Sequence, residues 1–331
     1  KNDKPDLSYI KKAFDKIKNQ ISKDTLLILE STVYPGATRE IFGNYIKKNY
    51  ANFNDINFGF SSERISPGQI GHKYKIKYQD ITKVLSINDL KFKDKIQNFY
   101  RIFFKKTHLA DTLEIAEMSK LLENSYRSVN IGLINEIKKI CINSNLDIHK
   151  VIEAAATKPF GFTAFTPGPG VGGHCIPIDP VFISWFAKKS NTNSNLIDLA
   201  RKINLETTSW VYSNITKIIE NSKKNKILIL GITYKENIND YRESPALKII
   251  KSLLKEKYSF DYYDTYVDKI KIGKKNLKSI KNLNNIKNYK LCILLTAHDN
   301  FPYNLILKNS KLILDTRGKF QNINTSKVIF S

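Results

Sequence analysis

Short apolar runs of strand length recur along the chain, and amphipathic stretches of helical spacing separate them. The runs TLLILE at 25–30, KILILG at 226–231 and LCILLT at 291–296 are too short for independent helices and too uniformly apolar for half-solvated strands. They fit strands buried on both faces, as in parallel sheets. Between them, Leu7, Ile10, Phe14, Ile17 and Ile21 keep a helical period, a turn at Pro35-Gly36 leads into a helix-like stretch ending near Lys48, and INFGFS at 56–61 follows as a strand. Asp80 to Ile87 continues as strand and Leu90 to Phe104 as helix. Alternation of this kind predicts an α/β protein with doubly wound parallel sheets.

From Asp111 to Asn145 the pattern becomes one long helix. Ile115, Met118, Leu122, Val129, Leu133, Ile137 and Ile140 hold the helical period, with Gly132 as its one glycine. Such a helix exceeds the needs of one small domain and is expected to join two sheets and to offer a subunit interface. An irregular stretch at 158–181 and further helix to about 222 precede a second α/β unit, in which Ser244-Pro245 should cap the helix ALKIIKSLLKE. Strands at FDYYD, LCILLT and LILDT complete it. The chain of 331 residues thus divides into segments 1–107, 108–222 and 223–331.

Composition narrows the classes of function. The formal net charge is +23, but only seven of the 54 basic residues are Arg, and the lysines are dispersed among asparagines. A nucleic-acid surface would cluster its charge and interleave Arg or aromatics, so no nucleic-acid partner is expected. No apolar run approaches the roughly 20 residues that span a bilayer. KNDKPDLSYIKKAF has no apolar segment after its charges, which predicts no secretory signal and a cytoplasmic protein. The first residue is Lys and the sole Met is Met118, so a preceding segment is expected. Three scattered cysteines make neither a disulfide framework nor a metal site. Cys141 and Cys292 sit inside apolar patterns and read as core residues.

Cys175 differs, because it closes the glycine-rich segment GPGVGGHCIPIDP at 168–180. Gly168, Gly170 and Gly173 formally satisfy G-x-G-x-x-G. The context of a dinucleotide loop is lacking, since no strand precedes the segment and Pro177 and Pro180 are expected to forbid the helix that should follow. The residues fit instead a loop poor in side chains, whose peptide groups approach a substrate and which ends in a fixed thiol.

GVGGHCIPIDP resembles the active-site loop of the UDP-glucose/GDP-mannose dehydrogenase family, and TKPFGFTAFTPGPGVGGHCIPIDP is similar to its UDP-N-acetylglucosamine 6-dehydrogenase branch. ESTVYPGAT at 30, SSERISPG at 61, MSKLLENSYR at 118, GITYKENINDYRESPA at 231 and LDTRG at 314 agree in order and spacing, so the resemblance covers nearly the whole chain. It implies two Rossmann-like domains joined by the long helix, NAD as cofactor, a UDP-sugar as substrate and a homodimer formed through that helix. The implied reaction is a four-electron oxidation of the sugar C6 alcohol to a carboxylate through a thioester on Cys175, supplying precursors of surface polysaccharide.

By the same resemblance Lys120 and Asn124, one turn apart on the helix, meet the developing oxyanion. Asp179, held between prolines, orients water or acts as base, with Glu63 as second carboxylate and Thr32 positioning water and nicotinamide. Thr32, Glu63, Cys175 and Arg242 border the cofactor. Phe165, Gly170 and Gly172 line the substrate loop, and Lys235 and Arg317, each following a strand, contact the UDP diphosphate or the uridine end.

Two departures matter. Family enzymes acting on UDP-glucose or GDP-mannose carry C-x-P-K-D, where this chain has Ile178 before Asp179, which favours UDP-N-acetylglucosamine, with the mannosamine and galactosamine epimers as rivals. The early G-x-G-x-x-G of the family's first βαβ unit does not occur, so the first domain is expected to lack that unit, and the 331 residues alone to bind UDP-sugar better than NAD and to be catalytically silent. The alternatives are a UDP-glucose 6-dehydrogenase, a non-catalytic UDP-sugar sensor, and a basic module for anionic polymers.

Overall fold

The structure, a computed structural model, describes residues 5–22, 24–50, 56–65, 77–323 and 325–331; Ser66, Pro67 and Gly68 of the SSERISPG motif lie outside the described residues. Two units emerge, one of Lys1–Tyr126 with Ile178–Asn195, the other of Arg127–Pro177 with Leu196–Ser331.

In the first unit the run at 25–30 becomes β1 (Leu26–Leu29) and INFGFS becomes β2 (Asn57–Ser61), paired in parallel. Strand β3 (Lys83–Ile87) joins β2 antiparallel, and β4 (Thr107–Leu109) joins β3 in parallel, giving the order β1-β2-β3-β4. The amphipathic N-terminal stretch forms α1 (Ser8–Ile17). A π-helical segment Arg39–Ile46 continues into α2 (Lys47–Asn49), and α3 (Lys93–Arg101) precedes β4. Phe14, Leu27, Ile41, Phe58 and Phe60 form the core. Phe182, Trp185 and Phe186 pack against it from α6 (Asp179–Lys189).

Helix α4 (Leu113–Asn143) runs 31 residues without a break, as its spacing predicts. Its buried face mixes Leu113, Ala116, Leu121, Ile134 and Cys141 with polar side chains, and part of its apolar surface stays exposed. Glu117, Lys120, Ser125, Ser128, Asn135 and Lys138 are buried, whereas Ile115, Leu122, Leu133 and Ile140 are between 51% and 63% exposed.

The second unit carries α5 (Ile148–Ala156) and α7 (Asn195–Ile218), followed by β5 (Ile227–Leu230), α8 (Pro245–Lys255) and β6 (Phe260–Tyr263). An antiparallel hairpin of β7 (Lys269–Ile272) and β8 (Lys275–Lys278) comes next, then β9 (Leu291–Leu294), α9 (Tyr303–Asn309), β10 (Ile313–Asp315) and β11 (Val328–Phe330). The main sheet has the order β11-β10-β9-β5-β6 with every pair parallel. Counted within this unit, that is the doubly wound order 2-1-3-4-5, and the strand order reverses between β5 and β9. Ligands of open α/β sheets bind at the carboxyl ends of the strands flanking such a reversal. Gly231, leaving β5 at φ +78, lies so close to Thr296 that no side chain fits there.

Ser244 caps α8 through a hydrogen bond from the Ala246 N–H, and Pro245 occupies the first turn. Ser244→Ala should cost about 1 kcal/mol in urea unfolding. Ile229→Ala, in the fully buried centre of β5, should cost about 2–5 kcal/mol. Equal losses for the two would contradict the placement of the core.

Candidate active site

In the first unit, α4 and α6 bring three of the expected residues together. Lys120 and Asn124 lie one turn apart on α4, and Lys120 is only 8% exposed. Asn124 Nδ2 donates to Asp179 Oδ2 at 2.5 Å. Asp179 opens α6, with Pro180 in the first turn. Here the sequence-based expectation needs correcting, because a proline in the first turn has no intrahelical N–H to lose and its fixed φ suits the helix. Pro180 therefore starts the helix it was expected to forbid. A tilted ring contact of Trp185 with Tyr34, with centroids 4.5 Å apart, anchors α6.

The electrostatics of Asp179 are a contest. Burial raises its pKa, while the Asn124 hydrogen bond and the Lys120 charge oppose the rise; burial wins and leaves the carboxyl at about 6. A carboxylate poised there exchanges protons near neutrality.

Thr32 and Glu63 lie just beyond the carboxyl ends of the parallel strands β1 and β2. Lys83, nearly inaccessible, bridges Glu30 at 3.0 Å and Glu63 at 3.4 Å. Glu63 also accepts from the Ile65 N–H at 2.6 Å. Glu117, fully buried on α4, accepts from the Gly36 N–H at 2.5 Å and the Thr38 N–H at 2.8 Å, which ties the loop after β1 to the helix. Neither Lys83 nor Glu117 was singled out from the sequence, since an isolated Lys in a strand and a Glu in a helix look solvated.

In the second unit the glycine-rich loop is held from several sides. Asn135 Oδ1 accepts from the Gly168 N–H at 3.1 Å, and Lys138 Nζ donates to the Gly168 carbonyl at 3.0 Å. Thr208 Oγ1 donates to the Pro169 carbonyl at 2.9 Å. A Cβ at Gly172 would meet Pro245 Cδ at 2.8 Å and Tyr234 Cβ at 2.9 Å. One at Gly170, at φ +128, would collide with Thr208. At these glycines the loop has no room for a side chain, as its composition implies. Cys175 is an exposed thiol beyond it, near Tyr234, while Cys141 and Cys292 are buried. Burial pushes the Cys292 thiol up to about 11, as befits a core residue. Phe165 is half-buried ahead of the loop.

Lys235 follows β5 and Arg317 follows β10, both on the carboxyl side of the sheet. Burial lowers the Lys235 pKa, and the neighbouring Arg127 charge adds to this. Arg317 retains some accessible surface, yet the protein packed around its guanidinium brings its pKa down to about 10. Its Nε donates to the Leu295 carbonyl at 2.7 Å. Arg242 is different: it is exposed and holds Asp240 through Nε at 2.9 Å and Nη2 at 2.7 Å. Among the described residues no group of His, Cys, Asp and Glu could hold a metal ion, and no helix is long and apolar enough to cross a membrane.

Three domains of one family match in order: residues 1–104 the NAD binding domain, 114–206 the central domain and 228–322 the UDP binding domain. A UDP-N-acetyl-D-mannosamine dehydrogenase of Methanocaldococcus jannaschii is 34% identical over 95% of this chain and 71% of its own length. A UDP-N-acetyl-D-glucosamine 6-dehydrogenase of Pseudomonas aeruginosa is 34% identical over 80% of this chain and 63% of its own. The solved UDP-D-ManNAc dehydrogenase of Pyrococcus horikoshii is 28% identical, superposes with a TM-score of 0.84, and is covered over 77% of its length by the whole of this chain. The three domains in sequence, together with relatives aligned over nearly the full chain, show that this protein belongs to the UDP-glucose/GDP-mannose dehydrogenase family.

Proposed function

We propose that the protein oxidises the C6 alcohol of a UDP-N-acetylhexosamine to the carboxylate in two NAD-dependent steps, through a thioester on Cys175, and so supplies an acidic sugar nucleotide for surface polysaccharide. The carrying observation is the buried cluster of Lys120, Asn124 and Asp179, in which a carboxyl is tuned to about 6 beside a cation and an amide donor. A protein that merely bound UDP-sugar would need neither that proton carrier nor an exposed thiol four residues before it in the chain. The relatives named for N-acetylglucosamine and N-acetylmannosamine nucleotides support the N-acetylhexosamine class, as does Ile178 before Asp179.

NAD, when bound, accepts the hydride at each oxidation. Thr32 and Glu63, gathered with Glu30 at the carboxyl edge of β1 and β2, fit the place where dinucleotides rest on open α/β sheets. Loss of a hydride and a proton from the alcohol leaves an aldehyde. The Cys175 thiol adds across its C=O: sulfur bonds to carbon, and the thiol proton passes by way of a base to the oxygen, which becomes a hydroxyl. Loss of a second hydride and of the hydroxyl proton leaves the thioester, and water then breaks the C–S bond to release carboxylate and thiol. Lys120 and Asn124 supply donors for the oxyanions, and Asp179 carries the protons. Lys235 and Arg317 hold the diphosphate at the carboxyl side of the second sheet. We also divide the chain functionally into 1–107 for cofactor, 108–222 for the helix and thiol loop, and 223–331 for UDP, and assign the exposed apolar stripe of α4 to a homodimer.

On the intact natural protein, Cys175→Ser should form little acid, releasing aldehyde or stalling as an ester; an unchanged acid yield removes Cys175 from the mechanism. The substrate class is tested by comparing kcat/KM across UDP-sugars, where UDP-glucose outperforming every N-acetylhexosamine would contradict it. The rate should rise with pH through about 6 as Asp179 ionises, and Asp179→Asn should lose that limb together with most of the rate. A pH profile unaltered in the variant would contradict the proton-carrier role. Each diphosphate contact is worth roughly 1.5–3 kcal/mol, so Lys235→Ala or Arg317→Ala should weaken UDP binding by one to two orders of magnitude in calorimetry. Unchanged affinity in both would overturn this assignment.

A further inference from the structure

Lys138 is the most anomalous charge in the second unit. It is 2% exposed, and its Nζ donates to a neutral acceptor, the Gly168 carbonyl, at 3.0 Å. Among the described residues no carboxylate pairs with it. Trp210 lies under the ammonium at 5.1 Å, a contact that favours the cation but neutralises nothing. Gly168, the residue it holds, also abuts Arg317: a Cβ there would sit 2.8 Å from Arg317 Nη1. Two cations thus converge on one glycine at the start of the loop, and neither makes a side-chain ion pair with a carboxylate among the described residues.

We propose that Lys138 is a further positioning residue for the nucleoside diphosphate: it backs Arg317 as a second cation, and the ligand's anionic diphosphate supplies the counter-charge that Lys138 lacks. This deepens the UDP-sugar reading and rests on it. Burial, with the charges of Arg317 and Lys139, lowers the Lys138 pKa to about 7, so the free protein sheds this proton just above neutrality. An arriving diphosphate favours the charged form, and binding above neutrality should therefore take up a proton. The other charged groups facing the cluster are Arg317 and Asp315 around β10, His149 on α5, Lys139 on α4, and Glu236, which acts on Arg317. His149 is itself held below its ordinary pKa, first by burial and in part by the Lys138 charge, so the test must separate the two.

The probe is UDP-N-acetylglucosamine, because free UDP has a terminal phosphate that titrates near ~6 and would confound proton counting. Calorimetry in buffers of different ionisation enthalpy reads affinity and proton uptake together. For the natural protein, affinity should fall roughly tenfold between about pH 6.5 and about pH 8.5, with close to one proton taken up at the alkaline end. Lys138→Met should abolish the uptake and flatten the pH dependence. Lys138→Arg, charged throughout, should remove the uptake while keeping the affinity at high pH, which gives an independent answer if the Met variant folds poorly. Uptake persisting in Lys138→Met, or tight binding by the natural protein with no uptake at any pH, would overturn the role of Lys138. Absence of binding at every pH would overturn the UDP-sugar reading and this inference with it.

Discussion

The conformation of the thiol loop depends on how the peptide groups of Gly168 are held. Asn135 and Lys138, three residues apart on α4, grip its N–H and its carbonyl, so the helix fixes where the glycine segment begins. Thr208 on α7 holds the next carbonyl, and Tyr234 and Pro245 press on Gly172. Positions so enclosed cannot carry side chains, which explains the glycines at 170 and 172 more directly than flexibility does. Its rigidity in turn defines where the chain continues toward Cys175. Hydrogen bonds from buried side chains are suited to this task because a slipped loop would leave the Asn135 Oδ1 and the Lys138 ammonium buried without the donor and acceptor that Gly168 supplies, while Asn135 Nδ2 stays on Asn204.

Much of this was legible in the residues. The compact apolar runs became β1, β5 and β9, and Ser244-Pro245 capped α8, because strand burial and helix capping are local effects with distinctive residue types. What stayed hidden depends on contacts distant in sequence. The apolar period of α4 correctly revealed its length, but Ile115, Leu122, Leu133 and Ile140 remain exposed in the single chain while Glu117, Lys120, Asn135 and Lys138 are buried beside Leu121 and Ile134. Periodicity reports that a helix has two faces, and only packing decides which one the chain itself covers. Lys138 sits in register with the buried Ile134 and Asn135, so its burial could have been inferred once the inward face was known. Pro180 misled because a proline's effect depends on whether it stands in the first turn or beyond it. The strands β2 and β3 were expected but their antiparallel pairing was not, because the direction of a neighbour leaves no mark on a strand's own apolar pattern, and the β7–β8 hairpin was hidden in a stretch dominated by lysines.

The charge of the chain divides in the same way. Most of its 54 basic residues are dispersed lysines, which fits a solvated surface. The informative cations are few and largely withdrawn from solvent: Lys83 between Glu30 and Glu63, Lys120 near Asp179, and Lys138 beside Arg317. Each differs in what balances it. Lys83 has two carboxylates, Lys120 has one that burial keeps near its protonation point, and Lys138 has none among the described residues. That gradation parallels the proposed roles of holding a carboxylate at the cofactor edge, moving protons, and receiving an anion.

The central claim is that one thiol carries the sugar from aldehyde to acid without releasing it. The most direct measurement is the ratio of NADH formed to carboxylate formed on the intact natural protein, with a hydrazine present to trap any free aldehyde. The account predicts two NADH per carboxylate and no trapped aldehyde. One NADH per sugar, with the hydrazone accumulating, would contradict it.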